Sequence, residues 1–154
     1  FSQTELPAEG CTLALYGSGS QKASLERLVA ELGLNGAVRF EGFVDDKFER
    51  IRRARARVLP SKREGFGTVV LEAMAIGTPV VVSDCEYGPR ELVMGGRLGT
   101  VVRTGCPSAL ARGLEEVTSE PGRARDRADA ARERARRYDV RKIAREYEAA
   151  FLTA

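Results

Sequence analysis

Histidine is absent from the 154-residue chain. That removes the commonest general base and metal ligand at neutral pH, and it excludes a Ser-His-Asp triad built within the chain. Cysteine is scarce. Cys11, Cys85 and Cys106 are odd in number, scattered and without CxxC spacing, a pattern that suggests neither a zinc site nor a disulfide framework. Reduced thiols are then the default, and a cytoplasmic setting is expected. No apolar run approaches membrane-spanning length and no signal peptide is visible. Charge of one sign is not in excess either. The 25 Lys+Arg stand against 22 Asp+Glu, a net +3, too balanced to argue for nucleic acid as a partner. What is present, 43% hydrophobic and 31% charged residues, is ordinary for a globular protein. The length suits a single domain over 1–154 with its own core.

Short apolar runs alternate with helical patterns. Residues 11–16 lead into Gly17-Ser18-Gly19-Ser20, a strand followed by a glycine loop. By itself that loop reads as a plain strand-to-helix turn. Leu25, Leu28, Val29 and Leu32 recur at helical spacing, with Glu26, Arg27 and Glu31 outside, and Gly33 ends the helix. Val38-Arg39-Phe40 is a second strand, leaving through Gly42-Phe43-Val44. Asp45 or Asp46 then caps a helix carrying Phe48 and Ile51. Val80-Val81-Val82-Ser83 shows no alternation, which fits a strand buried on both faces of a parallel sheet. Pro89 opens a short helix, and another covers 107–117. A basic helix from Pro121 carries Ala124, Ala128, Ala131 and Ala135 on one side, and its interleaved acidic residues make it a solvated face. A last helix, 140–152, turns Ile143, Tyr147 and Phe151 inward. Parallel strands near 11–16, 37–41, 56–60, 79–83 and 99–102 with helices between them predict an α/β fold.

The most informative stretch runs from Arg63 to Ala75. Between Glu64 and Asp84 the only charged residue is Glu72, set among Val69, Val70, Leu71, Ala73, Met74 and Ile76. A segment apolar on nearly all sides predicts a buried helix, where a carboxylate is costly without a partner. Gly65 and Gly67 permit tight turns and close backbone approach where a strand hands over to this helix. The free N–H groups of the helix's first turn form a site for an anion. Two carboxylates eight residues apart around such a helix start can accept hydrogen bonds from hydroxyls while the helix start accepts phosphate. A sugar nucleotide presents both groups.

Pro60-Ser61-Lys62-Arg63-Glu64-Gly65-Phe66-Gly67 through Glu72-Ala73-Met74-Ala75, then Gly77-Thr78-Pro79-Val80-Val81, resembles the retaining glycosyltransferases of family 4. These enzymes have the GT-B fold, and the likeness is to their carboxy-terminal, donor-binding domain, over Leu13 to Phe151. Glu64 and Glu72 fit the family's Glu-x7-Glu signature. The resemblance implies a Rossmann-like parallel sheet. It makes Glu64 the catalytic residue that contacts donor-sugar hydroxyls, and places Glu72 on the ribose hydroxyls. The backbone of Gly65, Phe66 and Gly67 would lie against sugar and diphosphate, with Thr68 at the helix start and Lys62 and Arg63 as the nearest cations. The loop Gly42-Phe43-Val44, through Phe43 and Val44, would receive the nucleobase, and Gly17 would line the same cleft. No cofactor and no metal are implied, because cationic side chains and helix starts neutralise the leaving diphosphate. The substrate would be a nucleoside-diphosphate sugar, UDP ahead of GDP, used for hexosyl transfer. Asp84 to Glu91 is similar to the version in members that build surface polysaccharides and glycans.

Two departures from the family shape the expectation. Its members open this domain with a further strand, followed by an arginine and a lysine that clamp the diphosphate, and an acceptor-binding domain precedes it. This sequence begins after both. The resemblance therefore implies a sheet lacking its first strand, which is central in Rossmann order. It also implies a fragment inactive and marginally stable alone, partnered by the amino-terminal domain of a parent enzyme. Through that parent the protein would be peripheral at the inner face of the membrane. Two other readings stay open: a noncatalytic sugar-nucleotide binding module, and an epimerase of the same fold that cleaves the sugar–nucleotide bond.

Overall fold

A computed structural model describes residues 1–152. Five strands, β1 (Leu13–Tyr16), β2 (Val38–Gly42), β3 (Arg57–Leu59), β4 (Val80–Ser83) and β5 (Thr100–Val102), lie within two residues of the expected positions. Between and after them run α1 (Lys22–Glu31), α2 (Lys47–Arg53), α3 (Thr68–Ile76), α4 (Pro89–Leu92), α5 (Pro107–Ser119), α6 (Pro121–Ala135) and α7 (Val140–Leu152). Every strand pairing is parallel. The strands form two sheets, β1-β2 and β3-β4-β5, and among the described residues no ladder joins β1 to β3. This is a Rossmann-like α/β arrangement without a central strand.

The core sits in the three-stranded half. All four residues of β4 are buried, so the strand needs an apolar layer on each side. On one face Val80 and Val82 pack with Val70, Ala73 and Met74 of α3, Leu92 of α4, and Ala131 and Ala135 of α6. On the other, Val81 packs with Val102, with Val117 of α5 and with Ala124. The alanine stripe of α6 is buried as its spacing predicts. Two arginines of that helix are half-buried and engaged with backbone. Arg127 donates to the carbonyls of Gly96 and Gly99 and pairs with Glu116 at 2.9 Å. Arg134 Nε donates to Leu92 O at 3.1 Å. Both close off backbone carbonyls that the short α4 and the turn after it leave open.

Polar contacts align the two sheets. At the carboxyl ends Lys47, at the start of α2, pairs with Glu72 of α3. At the amino ends Arg55, before β3, donates to Cys11 Sγ, before β1. The buried Thr78 hydroxyl donates to Ile51 O at 2.9 Å.

Several sequence expectations fail in the thinner parts. In α1 no residue is buried, and Leu25, Leu28 and Leu32 are exposed. In α7, Tyr147 and Phe151 are exposed instead of inward, and Ile143 is only half-buried. Helical spacing marks an apolar face without stating what covers it. Phe48 is likewise exposed. Asp46 is the N-cap of α2 but makes no capping bond; its carboxylate accepts from Arg50 Nε at 2.7 Å instead. The helix α3 buries one face only, through Val70, Ala73 and Met74. Among the described residues no helix is long and apolar enough to cross a membrane.

A glycine in α5 allows that helix to lie on the sheet. A Cβ at Gly113 would meet Val102 Cγ1 at 2.6 Å and Thr100 and Val81 at 3.3 Å. Gly113→Ala should therefore cost about 1–3 kcal/mol of folding free energy through overpacking, measured by urea denaturation. Gly122→Ala, with nothing within 4 Å of the added methyl, should leave stability unchanged or slightly raised.

Candidate functional site

The loops that leave the carboxyl ends of parallel strands are where open α/β sheets gather ligands. The loop from β3 to α3 carries Glu64, Gly65, Phe66 and Gly67. Its shape is fixed by backbone contact with the loop from β4 to α4. Gly88, at φ 81°, sits so close to Phe66 that a Cβ there would fall 2.4 Å from the Phe66 carbonyl oxygen. Gly67 is buried and left-handed, φ 86° and ψ 48°, and a Cβ on it would meet the Pro89 ring at 3.0 Å. Both positions need glycine for conformation and for space. The first helical bond of α3 runs from Val70 N to Gly67 O at 2.8 Å, so the N–H groups of Thr68 and Val69 come ahead of the helical ladder. Thr68 itself is exposed.

The two glutamates are held differently. Glu64 is half-buried, and the Ser61 hydroxyl donates to its Oε1 at 2.7 Å within the same loop. Beside it, burial pushes the Cys85 thiol pKa up, and the carboxylates of Glu64 and Asp84 add to the effect. Burial of Cys85 thus favours its protonated form. Asp84 is taken up by Arg90, whose Nη1 lies 2.9 and 2.7 Å from the two carboxylate oxygens. Glu72, on the second turn of α3, has a side chain 22% exposed, and its Oε1 accepts from Lys47 Nζ at 2.8 Å. This is the partner that a carboxylate in an apolar helix requires. Lys47 also lies 4.7 Å from the Phe48 ring centroid. With Lys47 half-exposed, the pair is worth at most about 1 kcal/mol, so its main effect is on orientation.

The second wall comes from β1 and β2. Gly17 N donates to Gly42 O at 2.7 Å, which brings the ends of the two strands together. Phe43 is 84% exposed and Val44 half-buried. The loop that carries them is braced by Arg50, which pairs with Glu41 at 3.0 Å and Asp46 at 2.7 Å and lies over the Tyr16 ring. The Arg50 bond holds the Asp46 carboxyl below the usual carboxylate range. Lys62 and Arg63 are exposed, and neither joins an ion pair among the described residues.

The structure thus gathers Glu64, Gly65, Phe66, Gly67, Thr68 and Glu72 around one helix start, and Gly17, Phe43 and Val44 on the facing strand ends. The Lys47–Glu72 pair links the two groups. The Phe66 ring is engaged elsewhere, edge-on to Tyr138 with centroids 5.6 Å apart. An apolar groove of about 570 Å³ lined by Phe66, Leu71, Tyr138, Ile143 and Tyr147 lies on the α7 side, and neither glutamate lines it. Among the described residues no group of three or more acidic, cysteine or histidine side chains is placed to hold a metal. Sequence reasoning missed Lys47, Gly88 and Tyr138. Lys47 carries a signal in retrospect, since a cation at the first helical position opposes the helix dipole and calls for a compensating partner.

The family described as glycosyl transferases group 1 matches residues 4–136. A lipopolysaccharide core biosynthesis glycosyltransferase of Rhizobium meliloti, LpsE, is 35% identical over 111 residues, covering 72% of this chain and 32% of its own. A glycogen synthase of Mycobacterium tuberculosis is 38% identical over 127 residues, covering 81% of this chain and 30% of its own. The chain thus spans about a third of the length of these curated relatives. Among solved structures, HepE of Anabaena in complex with UDP superposes with a TM-score of 0.87 at 26% identity, covering 96% of this chain and 43% of that one. TarM has a TM-score of 0.83 at 22% identity, covering 96% and 30%, and shows the fold alone.

The backbone lock gives a test that needs no ligand. Gly88→Ala combines a strained φ with a 2.4 Å approach to Phe66. It should destabilise the protein by about 1–3 kcal/mol or more. Gly65→Ala meets nothing within 4 Å and has an ordinary φ, so its stability should stay within about 0.5 kcal/mol of wild type. Urea denaturation of the two variants side by side is the measurement.

Proposed function

The chain belongs to the group 1 glycosyltransferases, and from that premise we propose that it is the donor-binding domain of a retaining glycosyltransferase. Its substrate is a nucleoside-diphosphate sugar, UDP rather than GDP, and its acceptor is a hydroxyl presented by the amino-terminal domain of the whole protein. The observation that carries the reading is the pair Glu64 and Glu72 on either side of the left-handed Gly67 helix start, at the carboxyl edge of the sheet. The likeness to HepE, solved with UDP, supports the choice of nucleotide. The role of LpsE in lipopolysaccharide core biosynthesis supports polysaccharide or glycan synthesis as the setting.

In this reading the diphosphate lies against the first-turn N–H groups of α3, with Lys62 and Arg63 beside it. Negative charge grows on the diphosphate as the sugar leaves, and oriented N–H groups stabilise it there without reorganising. Glu72 accepts from the ribose hydroxyls. Lys47 holds one of its oxygens, so the carboxylate is oriented before the nucleotide arrives. Glu64, steadied by Ser61, accepts from hydroxyls of the donor sugar and sets its reacting geometry. Phe43 and Val44 border the nucleobase.

Two substitutions in the whole protein separate these roles. Glu72→Gln keeps the shape and removes the charge. UDP affinity should fall roughly tenfold or more, the worth of a charge-assisted hydrogen bond, with little change in melting temperature. Calorimetric titration with UDP reads it, and unchanged affinity with a large fall in melting temperature would assign Glu72 to the fold. Glu64→Ala should leave UDP affinity nearly intact while turnover drops by about 10²-fold. Equal losses for UDP and for the sugar nucleotide would remove Glu64 from the sugar.

A further inference from the structure

The opposite edge of the three-stranded sheet carries a second cleft. It encloses about 290 Å³ and is lined by Arg52, Arg55 and Arg125, with Gly77, Pro79 and Pro121 between them. Pro79 immediately precedes β4 and Arg55 precedes β3. The four-residue strand β4 therefore separates this cleft from the Glu64–Gly67 loop by roughly 13 Å of chain, at about 3.3 Å per residue. A fourth arginine, Arg132, reaches the rim, with its Cδ 3.6 Å from where a Cβ on Gly77 would stand.

The charge in this cleft is not balanced from within. No carboxylate lines it. Arg52 pairs with Glu49 at 3.0 Å, but Glu49 is shared with Arg53 at 2.9 Å. Arg55 makes only a weak bond to Cys11 Sγ. Arg125 and Arg132 make no ion pair among the described residues. The nearby polar groups offer no substitute. The Thr78 hydroxyl is committed to Ile51 O. Of the last four carbonyls of α3, those of Ala73 and Met74 accept from Gly77 N and Thr78 N at 3.0–3.1 Å.

Local stability does not account for all of these cations. Arg52 sits in the last turn of α2, where a cation is favoured by the helix dipole. Arg125 lies past the first turn of α6, which begins at Pro121, beyond the reach of the helix dipole, and no ion pair holds it among the described residues. Here arginines from three separate segments line one concave site, and arginine is well suited to holding a phosphate by bidentate, charge-assisted hydrogen bonds.

We propose that this cleft is a second binding site, for a phosphate-bearing anion, distinct from the candidate donor site at the other edge of the sheet. The bound anion bridges α2, the α2–β3 connection and α6, and so stabilises the fold by mass action. A soluble phosphate ester and an anionic lipid headgroup offer the same chemistry, and the test separates them.

The whole protein, saturated with UDP to occupy the donor site, is titrated with pyrophosphate and, separately, mixed with vesicles of phosphatidylglycerol or phosphatidylcholine. The comparison is with Arg55→Gln/Arg125→Gln and with a control of equal charge, Arg27→Gln/Arg112→Gln, two exposed arginines outside both sites. Saturable pyrophosphate binding that raises the melting temperature, weakens roughly tenfold or more in the cleft variant and persists in the control is the expected result. If vesicles stay unbound, the ligand is a soluble phosphate. If phosphatidylglycerol vesicles bind, pyrophosphate competes and only the cleft variant fails, the ligand is a headgroup. Equal binding by wild type and cleft variant in both arms, or equal losses in the two variants, overturns the proposal. Both variants should retain UDP binding, which keeps a folding defect apart from loss of the second site.

Discussion

The burial of β4 on both faces is the constraint from which the rest of the arrangement follows. Val80–Ser83 offers water no polar side, so one layer of helices must cover each face. α3, α4 and α6 supply one, and α5 the other. Because β3 and β4 are adjacent and parallel, their outgoing loops leave side by side. The two can then touch backbone to backbone, and Gly88 against Phe66 is that contact. The shape of the Glu64–Gly67 loop is therefore a consequence of the most buried strand in the molecule, transmitted through glycines that leave no side chain in the way.

The β1–β2 half is built on different terms. No residue of α1 is buried, and β1 and β2 are at most half-buried. It is tied to the larger half by an ion pair, a thiol contact and a hydroxyl bond, and by one buried side chain of α2, Ile51, in the main core. Segments with few buried contacts open at lower free energy than the core. The two walls of the candidate site thus differ in stiffness. The wall with Glu64 and Gly67 is fixed by packing, while the wall with Phe43 and Val44 hangs on polar contacts that Arg50 and Lys47 maintain.

Much of this was legible in the sequence, for reasons that can be named. The unalternating Val80–Ser83 run could be read because burial on both faces leaves no other pattern. The alanine stripe of α6 could be read because it packs against a covered face. The glycines at 65 and 67 stood out because Glu64 and Glu72 frame them. What could not be read depended on contacts between distant segments. Leu25 and Tyr147 show the same helical spacing as buried residues, yet are exposed, since spacing reports a face and not its cover. Gly88 looks like any loop glycine until Phe66 is placed against it. Arg127 and Arg134 sit in a basic run that seemed uniformly solvated, and only the carbonyls of Gly96, Gly99 and Leu92 single them out.

Two cations near helix starts differ in how the chain balances them. Lys47 opens α2 and Arg125 lies just past the first turn of α6. Lys47 opposes its helix dipole at a cost of about 0.3–1 kcal/mol; Arg125, beyond the first turn, carries only its unpaired charge. For Lys47 the compensation lies within the chain, because Glu72 sits 2.8 Å away and would itself be unpartnered in an apolar helix without it. The two violations cancel each other, and they do so at the candidate site. Arg125 has no such carboxylate, and Arg55 and Arg132 beside it add to the imbalance. Positive charge in one cleft that the chain does not balance is consistent with a balance from outside it, and for arginine side chains that means an anion. The same electrostatic reasoning that explains the ion pair at one edge of the sheet therefore leads to a ligand at the other.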